Sequence, residues 1–151
     1  MDFSQITDDI FIGTTPSVSD YEILRELGIK LVINMRWEYR PRPDPHNPAL
    51  NFLWLPTFDS PFLPIPIKYL IRGAHAALET ISGAGKVYVH CAGGRHRGVA
   101  MGAAILIALG EDPESAMDLI QSRRAFADPR TFYIRSRILK FSKEWNGNLK
   151  K

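Results

Sequence analysis

Apolar positions along this chain fall into two rhythms. Short unbroken apolar runs, "DIFIGT", "IKLVINM", "NFLWL" and "KVYVH", are rich in β-branched and aromatic residues and read as buried strands. Between them the apolar residues recur every three or four positions. "SDYEILRELG" has helical spacing, a capping-box pattern in Ser19 and Glu22, and Gly28 as its stop. From Ile67 to Ser82 the residues Ile67, Leu70, Ile71, Ala74, Leu78 and Ile81 mark one face of a second helix, which ends at "GAG". "VAMGAAILIALG", Val99 to Gly110, is apolar on every side and predicts a buried helix. Two further helices are expected to open at Asp112-Pro113 and Asp128-Pro129, each a capping aspartate followed by proline at the first helical position. Strands alternating with helices predict a single-domain α/β architecture, a mainly parallel sheet covered on both faces.

The segments between these elements differ in character. "RWEYRPRPDPHNP" is rich in proline, arginine and aromatics, whereas "PTFDSPFLPIP" carries four prolines that deny regular hydrogen bonding and stiffen the backbone around Asp59. The chain has 151 residues, 45% of them hydrophobic, which suits one domain over residues 1–151 with a substantial core. A net charge of +3 favours an anionic ligand weakly, and the arginines form no long stripe interleaved with aromatics, so nucleic acid is not an expected partner. One cysteine makes no internal disulfide, and "MDFSQITDDIF" lacks the basic start and apolar stretch of a signal peptide; a cytoplasmic location is expected. The longest uncharged apolar run is well short of the roughly 20 residues of a membrane span, so no stable membrane insertion is expected.

The single cysteine lies in "VYVHCAGGRHRGVAMG", between a strand and the buried helix. Ligands gather at the carboxyl ends of parallel strands, and the following helix turns its positive end toward the same place. The backbone N–H groups of Ala92, Gly93, Gly94, Arg95 and His96 can curl into an anion-binding nest, with the two glycines permitting close approach. The same field favours the thiolate, the nucleophilic form of a cysteine. Arg97, six residues past Cys91, can return over the loop and offer its planar fork to two phosphoryl oxygens.

His90-Cys91, five intervening residues and Arg97 resemble the active-site signature of cysteine-dependent protein tyrosine and dual-specificity phosphatases, especially the small atypical dual-specificity class. "GIKLVINM" with Asn34, an aspartate loop and the helical tail extend the resemblance over most of the chain. It implies a phosphatase-like fold and a phosphate-monoester hydrolase without metal or cofactor. Cys91 would be the nucleophile and Arg97 the phosphate ligand. In that family an aspartate about thirty residues upstream protonates the leaving group and then activates water, which nominates Asp59, with Asp44 as competitor. His90 and Asn34 take supporting roles by the same resemblance, and Arg95 and His96 would line the pocket rim. The expected partners are a phosphorylated protein or a small phosphomonoester, met by a monomer.

Two departures stand out. The residue after the family's arginine is usually serine or threonine, whose hydroxyl stabilises the departing thiolate; here it is Gly98. "DPRTFYIRSRIL" lacks the glutamine or asparagine that often positions water. Slow hydrolysis of a phosphoenzyme follows, and a phosphate-binding pseudo-phosphatase stays open. So does a lipid or inositol phosphate substrate, because "GRHR" resembles the corresponding run of inositol-pyrophosphate phosphatases and "VINMRWEY" that of a phosphatidylglycerophosphate phosphatase. Arg36, Trp37, Glu38, Tyr39, Arg40 and Arg42 would then meet a second anionic or aromatic group or remain a solvated loop, while Arg123 and Arg124 are accounted for by a helix C-terminus.

Overall fold

The computed structural model describes residues 1–149. Its strands are β1 (Phe3–Gln5), β2 (Ile10–Gly13), β3 (Ile29–Arg36), β4 (Asn51–Thr57) and β5 (Lys86–His90); its helices are α1 (Tyr21–Glu26), α2 (Ile67–Ser82), α3 (Arg97–Ala108), α4 (Pro113–Arg123) and α5 (Phe132–Leu149). The sheet order is β1-β2-β5-β3-β4, with β2, β5, β3 and β4 mutually parallel and β1 antiparallel on the edge. The α/β architecture with a mainly parallel sheet is the one expected. β1, with three residues, is too short to show a period and was not among the predicted strands.

The strand pleat divides the core in two. Ile10, Ile12, Leu31, Ile33, Val87 and Val89 face the larger cluster, which α2, α3, α4 and α5 complete. Phe11, Val32 and Tyr88 point the other way, against Tyr21 and Leu24 of α1 and Leu50. Both faces are covered, one far more thickly. In α3 every residue from Arg97 to Ile107 is buried, in keeping with its lack of a polar face.

Two helix starts differ from the predicted ones. The cap before α1 uses Ser17 instead of Ser19: the Ser17 N–H and hydroxyl each donate to Asp20 Oδ2 at 2.9 Å, closing a 3₁₀ turn over Val18–Asp20. Asp20, standing three residues past Ser17, takes the place expected of Glu22. At the other end, Asp112 does cap α4, accepting from Ser115 N at 3.0 Å, but Asp128-Pro129 does not open α5. The Asp128 N–H donates to Arg95 O at 2.9 Å, which ties that turn to the cysteine loop, and α5 begins at Phe132. No helix among the described residues is long and apolar enough to cross a membrane.

Candidate active site at the carboxyl edge of the sheet

Because β3, β4 and β5 run parallel, the segments that leave them emerge at one edge. Those segments carry Glu38, Asp59 and Cys91, and α3 begins beside them with Arg97. Cys91 follows β5 directly and is 3% exposed. Its Sγ accepts the Gly94 N–H at 3.2 Å. Gly94 has φ +63°, and a Cβ there would lie 2.9 Å from Gly13 O and 2.7 Å from Arg124 Nη2, so the loop needs glycine for both conformation and space.

Arg124 holds the loop from behind. Its buried guanidinium donates from Nε to Gly94 O at 2.8 Å and from Nη2 to Gly93 O at 3.2 Å, and it reaches Ser4 Oγ and Asp2 Oδ2, each at 3.0 Å. With those carbonyls turned outward to an arginine, the peptide N–H groups are left to face a bound anion.

Arg97 is 5% exposed and its fork is taken by the protein. Nη2 donates to Glu38 Oε1 at 2.9 Å, Nη1 to Glu38 Oε2 at 3.1 Å, and Nη1 also to Thr57 O at 2.8 Å. Nε is buried without a hydrogen-bond partner among the described residues. A guanidinium offers two double-donor edges, so Glu38 on Nη1/Nη2 leaves the Nε/Nη2 edge for two phosphoryl oxygens. Burial disfavours the Arg97 cation, but its bonds to Glu38 and the charges of Cys91 and Asp59 outweigh that cost and hold its pKa above the ordinary value. For Glu38, burial pushes upward, yet the hydrogen bonds from Arg97 and Arg36 prevail and the carboxyl is pulled down to about 2.

Asp59 accepts from Tyr133 Oη at 2.6 Å on Oδ1, and its Oδ2 lies 3.1 Å from His96 Nδ1. Burial again raises its pKa, but these two partners and the Arg97 charge hold it below the usual carboxylate range. His90 is buried at the end of β5, and desolvation pulls its pKa down to about 3, which leaves a neutral ring. Asn34, opposite His90 in the β3–β5 register, donates from Nδ2 to Tyr39 O at 2.7 Å and accepts from Arg36 N at 2.8 Å, so it folds the turn that carries Glu38. Gly98 opens α3 beneath the cysteine; a Cβ there would lie 3.5 Å from Cys91 Sγ, ordinary contact.

No protein-family model matches the sequence, and no curated protein matches it. Solved structures do. PTPMT1 superposes with a TM-score of 0.86 at 24% identity, over 99% of this chain and 99% of that one, and has also been solved in complex with PI(5)P. A mouse putative dual specificity phosphatase complexed with zinc tungstate gives 0.84 at 25% identity over 97% and 90% of the two chains. Human DUSP28 gives 0.82 at 23% identity over 95% of each.

The fold is that of the dual-specificity phosphatases.

Within that fold, the structure brings together Cys91, Arg97, Asp59, His96 and the loop from Ala92 to Arg95, while Asp44 lies elsewhere. Asp44 is clasped by Arg25, His46 and the Leu50 N–H and is held well below the carboxylate range despite burial, which makes it the pin of its own loop. Arg95 stays on the rim, its side chain 59% exposed and 3.8 Å from Asp128. His96 turns away from the rim toward Asp59. The sequence reading gave Tyr133 no role, placed Glu38 only in a recognition or solvated loop, and assigned Arg124 to a helix end. For Glu38 there was a signal, a lone acid in a run of arginines; Arg124 does far more than balance a helix end, and nothing local in "QSRRAF" announces it.

Proposed function

We propose that the protein hydrolyses phosphate monoesters through a phosphocysteine at Cys91. The observation that carries this reading is the juxtaposition of the Cys91 sulfur, accepting a loop N–H, with an arginine whose Glu38-anchored fork leaves one edge free. The thiolate attacks phosphorus, the bond to the ester oxygen breaks, and that oxygen takes a proton from Asp59. Water then gives its proton to Asp59 and attacks the phosphocysteine, the P–S bond breaks, and phosphate leaves with the thiolate restored. Arg97 and the loop amides neutralise charge on the equatorial oxygens in both steps. No metal enters, so EDTA leaves the rate unchanged.

The substrate class is that of a dual-specificity protein phosphatase, because a chain of 151 residues leaves little room for the long walls of a deep phosphotyrosine-only pocket. A lipid phosphate is the second reading. It is favoured by large apolar side chains exposed at the same edge, the tilted ring pair Trp37 and Phe58 (centroids 5.0 Å apart), Phe62, Leu63 and Phe132, and by the PTPMT1 complex with PI(5)P. Rapid-quench hydrolysis of para-nitrophenyl phosphate with EDTA, comparing wild type, Cys91→Ser and Asp59→Asn, tests the chemistry; wild type gives a burst and Cys91→Ser none. Tight vanadate binding without burst or turnover would make the loop a receptor for phosphorylated partners. Phosphopeptides and phosphoinositide vesicles then separate the two substrate classes.

A further inference from the structure

Asp59 must hold a proton to release a leaving group, yet its surroundings stabilise the carboxylate. Both of its oxygens meet donors, Tyr133 Oη at 2.6 Å and His96 Nδ1 at 3.1 Å. The imidazole is bracketed: its Nε2 lies 3.7 Å from Asp128 Oδ2, and Tyr133 Oη is 3.3 Å from Nδ1. Three elements converge here, the loop after β4 with Asp59, the turn before α5 with Asp128, and α5 with Tyr133. The other charges on the ring are Arg95 and Arg97, its chain neighbours, and the positive end of α3, where His96 is the capping residue. These oppose an imidazolium, and the two carboxylates favour it. The His96 side chain is 18% exposed and that of Asp59 40%, so the pair lies at the mouth of the site with the ring the more sheltered partner.

We infer that His96 is the proton store for Asp59, a positioning and relay residue that acts through the aspartate and not as a phosphate ligand. This rests on the phosphatase reading above. In the one-proton state of the pair, the proton sits on His96 Nδ1 or on Asp59 Oδ2. As the ester bond breaks, that single proton passes from Nδ1 through Asp59 to the leaving oxygen, which leaves a neutral imidazole beside a carboxylate. When water attacks the phosphocysteine, its proton passes to Asp59 and on to Nδ1, and the pair is reset. Asp128, 3.7 Å from Nε2, adds a carboxylate on the far side of the ring.

The test compares kcat/KM for phenyl phosphate and para-nitrophenyl phosphate across pH in wild type, His96→Gln and Tyr133→Phe. The phenyl ester, with its poor leaving group, needs the acid; the nitrophenyl ester needs it far less. In His96→Gln the loss on phenyl phosphate exceeds the loss on the nitrophenyl ester by at least about tenfold, and the alkaline limb for phenyl phosphate moves about one pH unit or more toward acid, because glutamine can hydrogen-bond Asp59 but stores no proton. Tyr133→Phe keeps the store and removes a bond that favours the Asp59 carboxylate, so its alkaline limb does not move toward acid. Equal losses on both esters in His96→Gln with an unmoved limb, in a wild type that turns over, would overturn the relay alone. A limb displaced toward acid in Tyr133→Phe with an unmoved one in His96→Gln would assign the proton to tyrosine and overturn it also. A wild type inert toward both esters overturns the phosphatase reading, and the relay with it.

Discussion

Gly98→Ser is expected to make the protein a faster catalyst. A Cβ at this position sits 3.5 Å from Cys91 Sγ, 3.5 Å from Cys91 N and 3.5 Å from His90 C, so the side chain enters without displacing anything. One C–O bond further, the hydroxyl reaches hydrogen-bonding distance of the sulfur. A hydrogen bond to a charged group is worth about 1.5–3 kcal/mol. If it forms as the P–S bond breaks, the thiolate leaves roughly 10- to 100-fold faster, at about 1.4 kcal/mol per tenfold. The backbone does not oppose the change, since Gly98 lies in the first turn of α3 with a helical conformation and serine replaces glycine there at no cost. In rapid-quench assays with para-nitrophenyl phosphate, wild type gives a burst and then slow turnover. Gly98→Ser raises the steady-state rate toward the burst rate and leaves the burst rate within about twofold, because phosphoenzyme formation does not require thiolate departure. Gly98→Ala, with the Cβ but no hydroxyl, leaves steady turnover unchanged. A Gly98→Ser protein with wild-type steady-state turnover and an undiminished burst, or an alanine variant equally fast, would refute the reasoning.

Three further outcomes follow from the site. Glu38→Gln removes the anchor of the Arg97 fork and lowers kcat/KM by roughly 10- to 100-fold, the loss of one charge-assisted hydrogen bond. Its folded-state pKa is depressed, so its contribution to stability is present above the ordinary carboxylate range and disappears as pH falls toward about 2; thermal melts of wild type therefore fall more steeply over that acid window than those of Glu38→Gln. Arg124→Met leaves the Gly93 and Gly94 carbonyls without their donor, while the exposed Asp2 is solvated, and is expected to cost about 1–3 kcal/mol of stability, read by denaturant titration, with weaker vanadate binding in the protein that remains folded. Peroxide inactivates through Cys91 as a sulfenic acid, a sulfenamide or higher oxides; recovery through an intramolecular disulfide is ruled out by the single cysteine, and intact-mass measurement after thiol trapping checks this.

What the sequence made legible was whatever rests on periodicity or on one short segment. The apolar runs located β2, β3, β4 and β5, and the 3.6-residue rhythm placed α2 over Ile67–Ser82 at both ends. The cysteine loop was readable because its parts are contiguous: strand, thiol, two glycines, arginine, buried helix. What stayed hidden depends on distance in the chain. Arg124 meets Gly94 across 30 positions and Tyr133 meets Asp59 across 74, and neither has a local signature. Asp128-Pro129 has the chemistry of a helix start, and nothing within the segment marks that the helix begins only at Phe132. Ser17 displaced Ser19 as the cap because two serines and two acids compete within one turn, and only the turn geometry decides between them.

The central claim is that Cys91 becomes phosphorylated during turnover. The most direct measurement is an acid quench of wild type during steady-state hydrolysis of para-nitrophenyl phosphate, followed by intact-protein and peptide mass spectrometry. A large fraction of the protein is expected to carry one phosphoryl group on Cys91, a smaller fraction in Gly98→Ser, and none in Cys91→Ser. Continuous turnover with Cys91 unmodified, or a phosphoryl group on another residue, would contradict it.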